Sequence, residues 1–70
     1  MKDFIVEDRK AGQVVVEGKI SEAGGVIVVN SSLDEGTVKG VISQISKDVA
    51  SGKTRGRLGP GELDWVEVER

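Results

Sequence analysis

"SLDEGTVKGVISQISKDVASG", residues 32–52, decides the fold because it carries the strongest helix pattern in the chain. Ser32 and Glu35 have the spacing of a capping box, in which the serine hydroxyl accepts from the third helical N–H group. Gly52 suits a left-handed C-cap. Between these ends, apolar residues recur at steps of three and four, as on one side of an amphipathic helix: Val38, Val41, Ile42, Ile45 and Val49. The stretch predicts one helix from about Ser32 to Ser51.

Gly36 and Gly40 lie within this predicted helix, and each costs about 1 kcal/mol relative to alanine. Their spacing of four residues puts them on one side, where another backbone could approach closely. Two interpretations follow. Tight packing of the helix onto a sheet is favoured over a contact with the helix of a partner.

The segments before and after the helix have the patterns of β-strands. Phe4–Val6 is a short apolar run, and residues 13–20 alternate in part, with Val14 predicted to share a face with Val16 and Ile20. Residues 26–29 are apolar at every position, which is typical of a strand that is central or covered on both sides. The strands joined by short connections predict an antiparallel meander.

The last predicted strand, residues 63–69, has an alternation that slips. Either a bulge lies near Trp65 or both faces of this strand are partly buried. The fold class is therefore α+β in the order β-β-β-α-β, with a small, mostly antiparallel four-stranded sheet and one helix packed on one face. Residues 1–70 are expected to form a single small domain.

The composition of the chain excludes several classes of protein. The 70 residues include no Cys or His, so neither a disulfide nor a zinc site can stabilise the fold. A chain this short has a stability of roughly 3–5 kcal/mol, which favours a tight core or oligomerisation. No apolar run approaches the length of a membrane span and no signal peptide opens the chain. We expect a cytoplasmic protein with no membrane partner.

Catalysis and metal binding find few suitable residues. Without His, Cys or Tyr the usual nucleophile–base pairs cannot be built, so we predict that the protein is not an enzyme and has no catalytic residues. Residues 30–41 faintly resemble a calcium-binding EF-hand loop. Gly36 comes one place late, however, and Val41 stands where the bidentate glutamate is needed. We predict no metal site and no cofactor.

Ser51–Thr54 reads "SGKT", as at the end of a phosphate-binding P-loop. The interpretation fails because a P-loop precedes a helix, whose positive dipole end meets the phosphate, whereas this segment follows a helix. Lys47 also stands where the first glycine is required. The segment does hold a cluster of positive charge, opposed locally by Asp48 alone: Lys47, Lys53, Arg55 and Arg57.

This basic, glycine-rich loop predicts contact with a phosphate-bearing ligand, either nucleic acid or a nucleotide. The alternative is a solvated loop whose charges cap the helix and pair with acids such as Glu62 or Asp64. Phe4 and Trp65 are the only aromatic residues, so platforms for stacking bases are scarce.

The chain has more apolar residues than one helix and one sheet face can bury. The residues left for an open face include one of the pairs Leu63/Trp65 and Val66/Val68. They predict association, and we name as interface residues Val15, Ile27 and Trp65. The sequence therefore predicts a small binding protein that forms a dimer or larger homo-oligomer through its open sheet face or an edge strand. The alternative is a protein-binding inhibitor or accessory factor, antitoxin-like or phage-encoded, by analogy of fold alone.

Overall fold

The computed structural model describes residues 1–59 and 62–68 and confirms an α+β fold, within which one helix accompanies five strands. In chain order the elements are β1 (Lys2–Asp8), β2 (Gln13–Ile20), β3 (Val26–Ser31), α1 (Glu35–Ala50), β4 (Arg55–Leu58) and β5 (Leu63–Val68). The last predicted strand also included Glu69, which lies outside the described residues.

All neighbouring strands are antiparallel, and they form one sheet in the order β3-β2-β1-β5-β4. The first three strands make the predicted meander, whereas β5 adds to the other side of β1. Because β3 and β4 form opposite edges, α1 must carry the chain across the sheet from one edge to the other. It does so over one face, where it contacts both edge strands.

The prediction of four strands was wrong, because residues read as a basic loop form β4. Leu58 lies opposite Leu63 on β5 and is buried, with 3% of its surface exposed. Gly56 and Leu58 face the core, whereas Arg55 and Arg57 face away from it. This alternation was the one feature of the sequence that could have indicated a strand here. A run of four residues that includes a glycine is too short for periodicity alone to identify.

The core lies between α1 and the sheet, and it confirms the apolar stripe of the helix. Val41 and Ile45 are buried, and the other three stripe residues are partly buried. The remaining buried hydrophobic residues come from four of the strands: Phe4, Val6, Val16, Ile20, Leu58, Leu63 and Trp65.

The predicted capping box is wrong, because Asp34 caps α1 in place of Ser32. The Asp34 carboxylate accepts from the backbone N–H of Thr37 at 3.0 Å and from its hydroxyl at 2.6 Å. Ser32 instead donates its hydroxyl to the carbonyl of Val15 on β2, at 3.3 Å. The C-terminal prediction is confirmed: the chain leaves the helix through Gly52, which has a left-handed φ of +83°.

Stability should depend on pH through this cap. The hydrogen bonds from Thr37 hold the pKa of Asp34 below its ordinary value of 3.8. A depressed carboxyl pKa stabilises the fold above the ordinary value, and this contribution is lost as the pH falls through the depressed value. We expect Asp34→Ala to lower the melting temperature at neutral pH by more than Ser32→Ala does. Thermal melts followed by circular dichroism down to pH 2 should show the Asp34→Ala difference shrinking; equal effects of the two variants at neutral pH would contradict the assignment.

Both helix glycines face solvent, so their predicted packing onto the sheet is wrong. A Cβ atom added at Gly40 would meet nothing within 4 Å, and one at Gly36 would reach only the Asp34 carboxylate at 3.5 Å. The alternative, a contact with a partner helix, stays a prediction.

A bulge in β2 reverses the predicted orientation of two valines. Val6 pairs with Val16 and Glu7 pairs with Val14, which leaves Val15 without a partner on β1. The extra residue shifts the alternation, so that Val14 faces away from α1 and Val15 packs against the core. A bulge forms when two strands pair, and periodicity within one strand does not reveal it.

Two explanations were predicted for the slipped alternation of β5, and the structure supports the second, in which both faces of the strand are partly buried. No register shift separates β5 from β1 over residues 63–68. Leu63 and Trp65 are buried under α1, while Val66 and Val68 lie on the opposite face. Both faces of this strand carry apolar residues, and no bulge lies near Trp65.

Candidate binding surface on the open face of the sheet

The open face is the side of the sheet that α1 does not cover. Its members follow from the strand registers, and its apolar side chains extend from β3 to β5: Ile5, Val14, Ile27, Val66 and Val68. The exposed fractions of Val14, Ile27 and Val66 are 46%, 49% and 36%. The registers place Ile5 directly beside Val66, whereas Lys19 separates Ile27 from β1 and Glu7 lies beside Val14.

The open face contains only one of the three predicted interface residues. Ile27 lies there, as expected. Val15 packs against the core because of the β2 bulge, and Trp65 is 1% exposed because the face of β5 that carries it lies under α1. Placing these two on the open face was wrong. On the open face, the exposed apolar residues of β2 and β5 are instead Val14 and Val66.

The four predicted basic residues separate into two pairs. Arg55 and Arg57 are exposed on the open face of β4, opposite Val66 and Asp64 of β5. Lys47 lies in the last turn of α1, on the other side of the sheet. Lys53 follows the helix and lines a separate groove of about 600 Å³ beside the β2–β3 turn. The segment read as "SGKT" thus leaves a helix C-terminus, where no P-loop can form.

The two arginines of β4 make no ion pair with any residue in the described ranges, 1–59 and 62–68. The nearest carboxylate across the strand, Asp64, is engaged by Arg9, whose Nε lies 3.0 Å from Oδ2. Lys53, by contrast, has its Nζ 3.8 Å from an oxygen of Asp48. The guanidinium donors of Arg55 and Arg57 therefore face solvent and are available to a ligand.

A shallow depression of about 510 Å³ lies beside these arginines. Its walls include the carboxylates of Glu7 and Asp64 in addition to the two guanidinium groups. The Oδ1 atom of Asp64 is buried, and no described residue donates a hydrogen bond to it. The depression is therefore bipolar, with positive charge at the sheet edge and negative charge toward the centre. The arginine edge of the depression is the part whose charge suits an anionic group.

The β4–β5 hairpin is attached to α1 by two polar contacts. The side chain of Gln44 donates to the carbonyl of Gly59 at 2.6 Å and accepts from its N–H group at 3.1 Å. Gln44 lies outside the apolar stripe of α1 and is partly buried. A side-chain amide carries both a donor and an acceptor, so Gln44 can bond to the C=O and the N–H group of Gly59 at the same time.

The second contact lies one helical turn later, where Asp48 accepts from the indole N–H of Trp65 at 2.8 Å. Gly56 makes room for it, because a Cβ atom there would come within 2.5 Å of the Asp48 carboxylate. Gln44 thus holds the end of β4 through Gly59, and Asp48 holds the neighbouring strand β5 through Trp65, which pairs with Gly56. A binding element on a fixed strand loses less conformational entropy on binding than one on a mobile loop.

Within residues 1–59 and 62–68, no helix has the length and apolar composition required to span a bilayer. Comparison of the chain with protein-family models, with curated protein sequences and with solved structures gave no match, and what the open face can bind is therefore inferred from its own residues.

Proposed function

We propose that this chain is a small non-enzymatic binding protein that self-associates and contacts a phosphate-bearing ligand, nucleic acid or nucleotide, through Arg55 and Arg57. The observation that carries the proposal is the pair of exposed guanidinium groups on β4, neither of which is ion-paired within the described residues. The absence of His, Cys and Tyr from the chain supports a role in binding rather than in catalysis.

The geometry of β4 suits phosphate. Residues two apart on a strand point to the same face and are separated by about 6.6 Å, twice the rise of ~3.3 Å per residue. Each planar guanidinium group can donate two parallel hydrogen bonds to phosphate oxygens. The two side chains can therefore hold neighbouring phosphates or share one.

The charge distribution limits this binding to the edge of the sheet. The chain has a net charge of −2, and Glu7 and Asp64 lie directly beside the arginines. Attraction must therefore be local, and affinity should fall steeply with salt. Contacts from Lys47 and Lys53 stay predictions, since a ligand that reached them as well would have to extend around the β4 edge.

The test is a salt titration of binding to a short fluorescent nucleic-acid duplex, followed by anisotropy. The double variant Arg55→Gln/Arg57→Gln should lower the slope of log K against log salt by about 2, since each phosphate contact contributes ~0.9. The matched control, Lys10→Gln/Lys39→Gln, removes the same charge from the β1–β2 turn and the helix and should leave the slope unchanged. No binding by the wild type, or equal losses in the two double variants, would refute the role of the arginines.

A second candidate function, binding to a protein partner as an inhibitor or accessory factor, is supported by the exposed apolar side chains of Val14, Ile27 and Val66. Docking through apolar surface should respond little to salt. In a capture experiment from native cells, Val14→Lys should abolish retention of such a partner, whereas the arginine double variant should retain it.

A further inference from the structure

Strand β3 has the composition of a central strand but lies at an edge of the sheet. Its first four residues are apolar at every position, and none of them is buried. Ile27 is 49% exposed and Val29 is 62% exposed. An edge strand also leaves one side of its backbone without hydrogen-bond partners in the sheet. Continuous apolar runs are typical of strands that are covered on both faces.

The opposite edge of the sheet is protected in the usual way. There, β4 is four residues long and presents two arginines, and both charge and shortness prevent pairing with another chain. In contrast, β3 is six residues long and includes neither a charged residue nor a proline. The one feature of β3 that limits pairing at this edge is a bulge at Val29, since Val28 pairs with Gly18 and Asn30 pairs with Glu17.

We propose that β3 pairs in antiparallel fashion with β3 of a second copy, so that two sheets join into one across a two-fold axis. The inference rests on the self-association in the proposed function and names the surface that makes it. In the dimer each β3 becomes a central strand of a joined sheet. Its outer backbone groups gain hydrogen-bond partners, and its exposed apolar side chains, Ile27 and Val29, gain cross-strand neighbours from the second copy.

The charged residues of β2, one strand in from this edge, are compatible with a second copy in this orientation, and Lys19 also pairs with Asp3 of its own chain at 3.4 Å. Lys19 lies next to Ile27, near the start of β3, and Glu17 lies next to Asn30, near its end. Two-fold antiparallel pairing sets the start of one strand against the end of the other. Lys19 of one copy then lies at the same end of the interface as Glu17 of the other. Parallel pairing would instead bring like charges to the same end.

The test compares the wild type with two lysine variants by sedimentation velocity over a series of concentrations. Val29→Lys places a charge on the β3 edge and should weaken dimerisation at least tenfold. Val14→Lys places the same charge at an exposed position of β2, away from the edge, and should leave dimerisation unchanged. Both side chains are exposed, so folding should survive, and the fluorescence of buried Trp65 verifies it.

Hydrogen exchange supplies a second measurement that needs no variant. The amides of residues 26–31 should become more protected as the wild-type concentration rises. A monomer at every concentration, or loss of association in Val14→Lys but not in Val29→Lys, would overturn the proposal. So would protection that appears only when another protein is added. Arg55→Gln/Arg57→Gln should dimerise as the wild type does, so a failure of phosphate binding is distinguishable from a failure of β3 pairing.

Discussion

Replacing Gly18 with alanine is expected to destabilise the protein by about 1–3 kcal/mol, the usual cost of overpacking a filled core. Gly18 lies on β2 between Phe4 and Val28 and is buried beneath α1. A Cβ atom there would come within 2.5 Å of two ring atoms of Phe4, and closer still to the carbonyl oxygen of Ile27. The ring is 1% exposed and cannot swing into solvent.

Urea denaturation followed by the fluorescence of Trp65, the one tryptophan of the chain, measures this loss. The matched control is Gly40→Ala, which adds the same atom in open space on α1 and should raise the stability by about 1 kcal/mol. Adding Phe4→Leu to Gly18→Ala should cost less than the sum of the two single changes, because the two side chains share one space. If Gly18→Ala were as stable as Gly40→Ala, Phe4 could not pack over Gly18 as described.

The second large effect is expected for Asp48→Ala, with a loss of about 1–3 kcal/mol. Trp65 is 1% exposed, and its indole N–H donates to Asp48 at 2.8 Å. Removal of the carboxylate leaves this donor buried with no replacement, and desolvating an unpaired donor accounts for most of the cost. The fluorescence of Trp65 should change in the folded state as well.

Two further variants separate the hydrogen bond from the charge of Asp48. Asp48→Asn keeps an acceptor for the indole and removes a negative charge from the C-terminal turn of α1, where it is unfavourable. It should therefore be clearly more stable than Asp48→Ala. Lys53→Ala removes only an exposed ion pair and should stay within about 0.5 kcal/mol of the wild type. Equal stabilities for the Asn and Ala variants would show that the hydrogen bond contributes nothing.

The hairpin attachment also connects stability with the proposed function. Gln44 holds the end of β4 and Asp48 holds the adjacent strand β5, and β4 presents Arg55 and Arg57. A ligand that contacts both arginines requires their common orientation on this strand.

The sequence by itself determined those features that depend on neighbours along the chain. The apolar steps from Val38 to Val49 predicted α1, and the glycine after it predicted the left-handed end, because both depend on contacts within a few residues. The same local order excluded a P-loop, since Lys53 follows a helix. The α+β class and the first three strands could also be predicted, because runs of β-branched residues between turn residues are typical of strands.

Only the tertiary structure decided how the strands pair, and pairing determined the candidate site. The bulge at Val15 forms against β1 and sends Val14 to the open face. The segment predicted as a basic loop forms β4 because it pairs with β5. This pairing places Arg55 and Arg57 on the open face, away from the lysines near the helix.

Long-range contacts also selected among locally equivalent partners. Ser32 is bonded to the backbone of β2, so Asp34 is the residue that caps α1. Gln44 bonds to Gly59 because this turn residue, from later in the chain, lies beside α1. Such choices depend on which residues distant in sequence become neighbours, and the periodicity of a single segment contains no information about them.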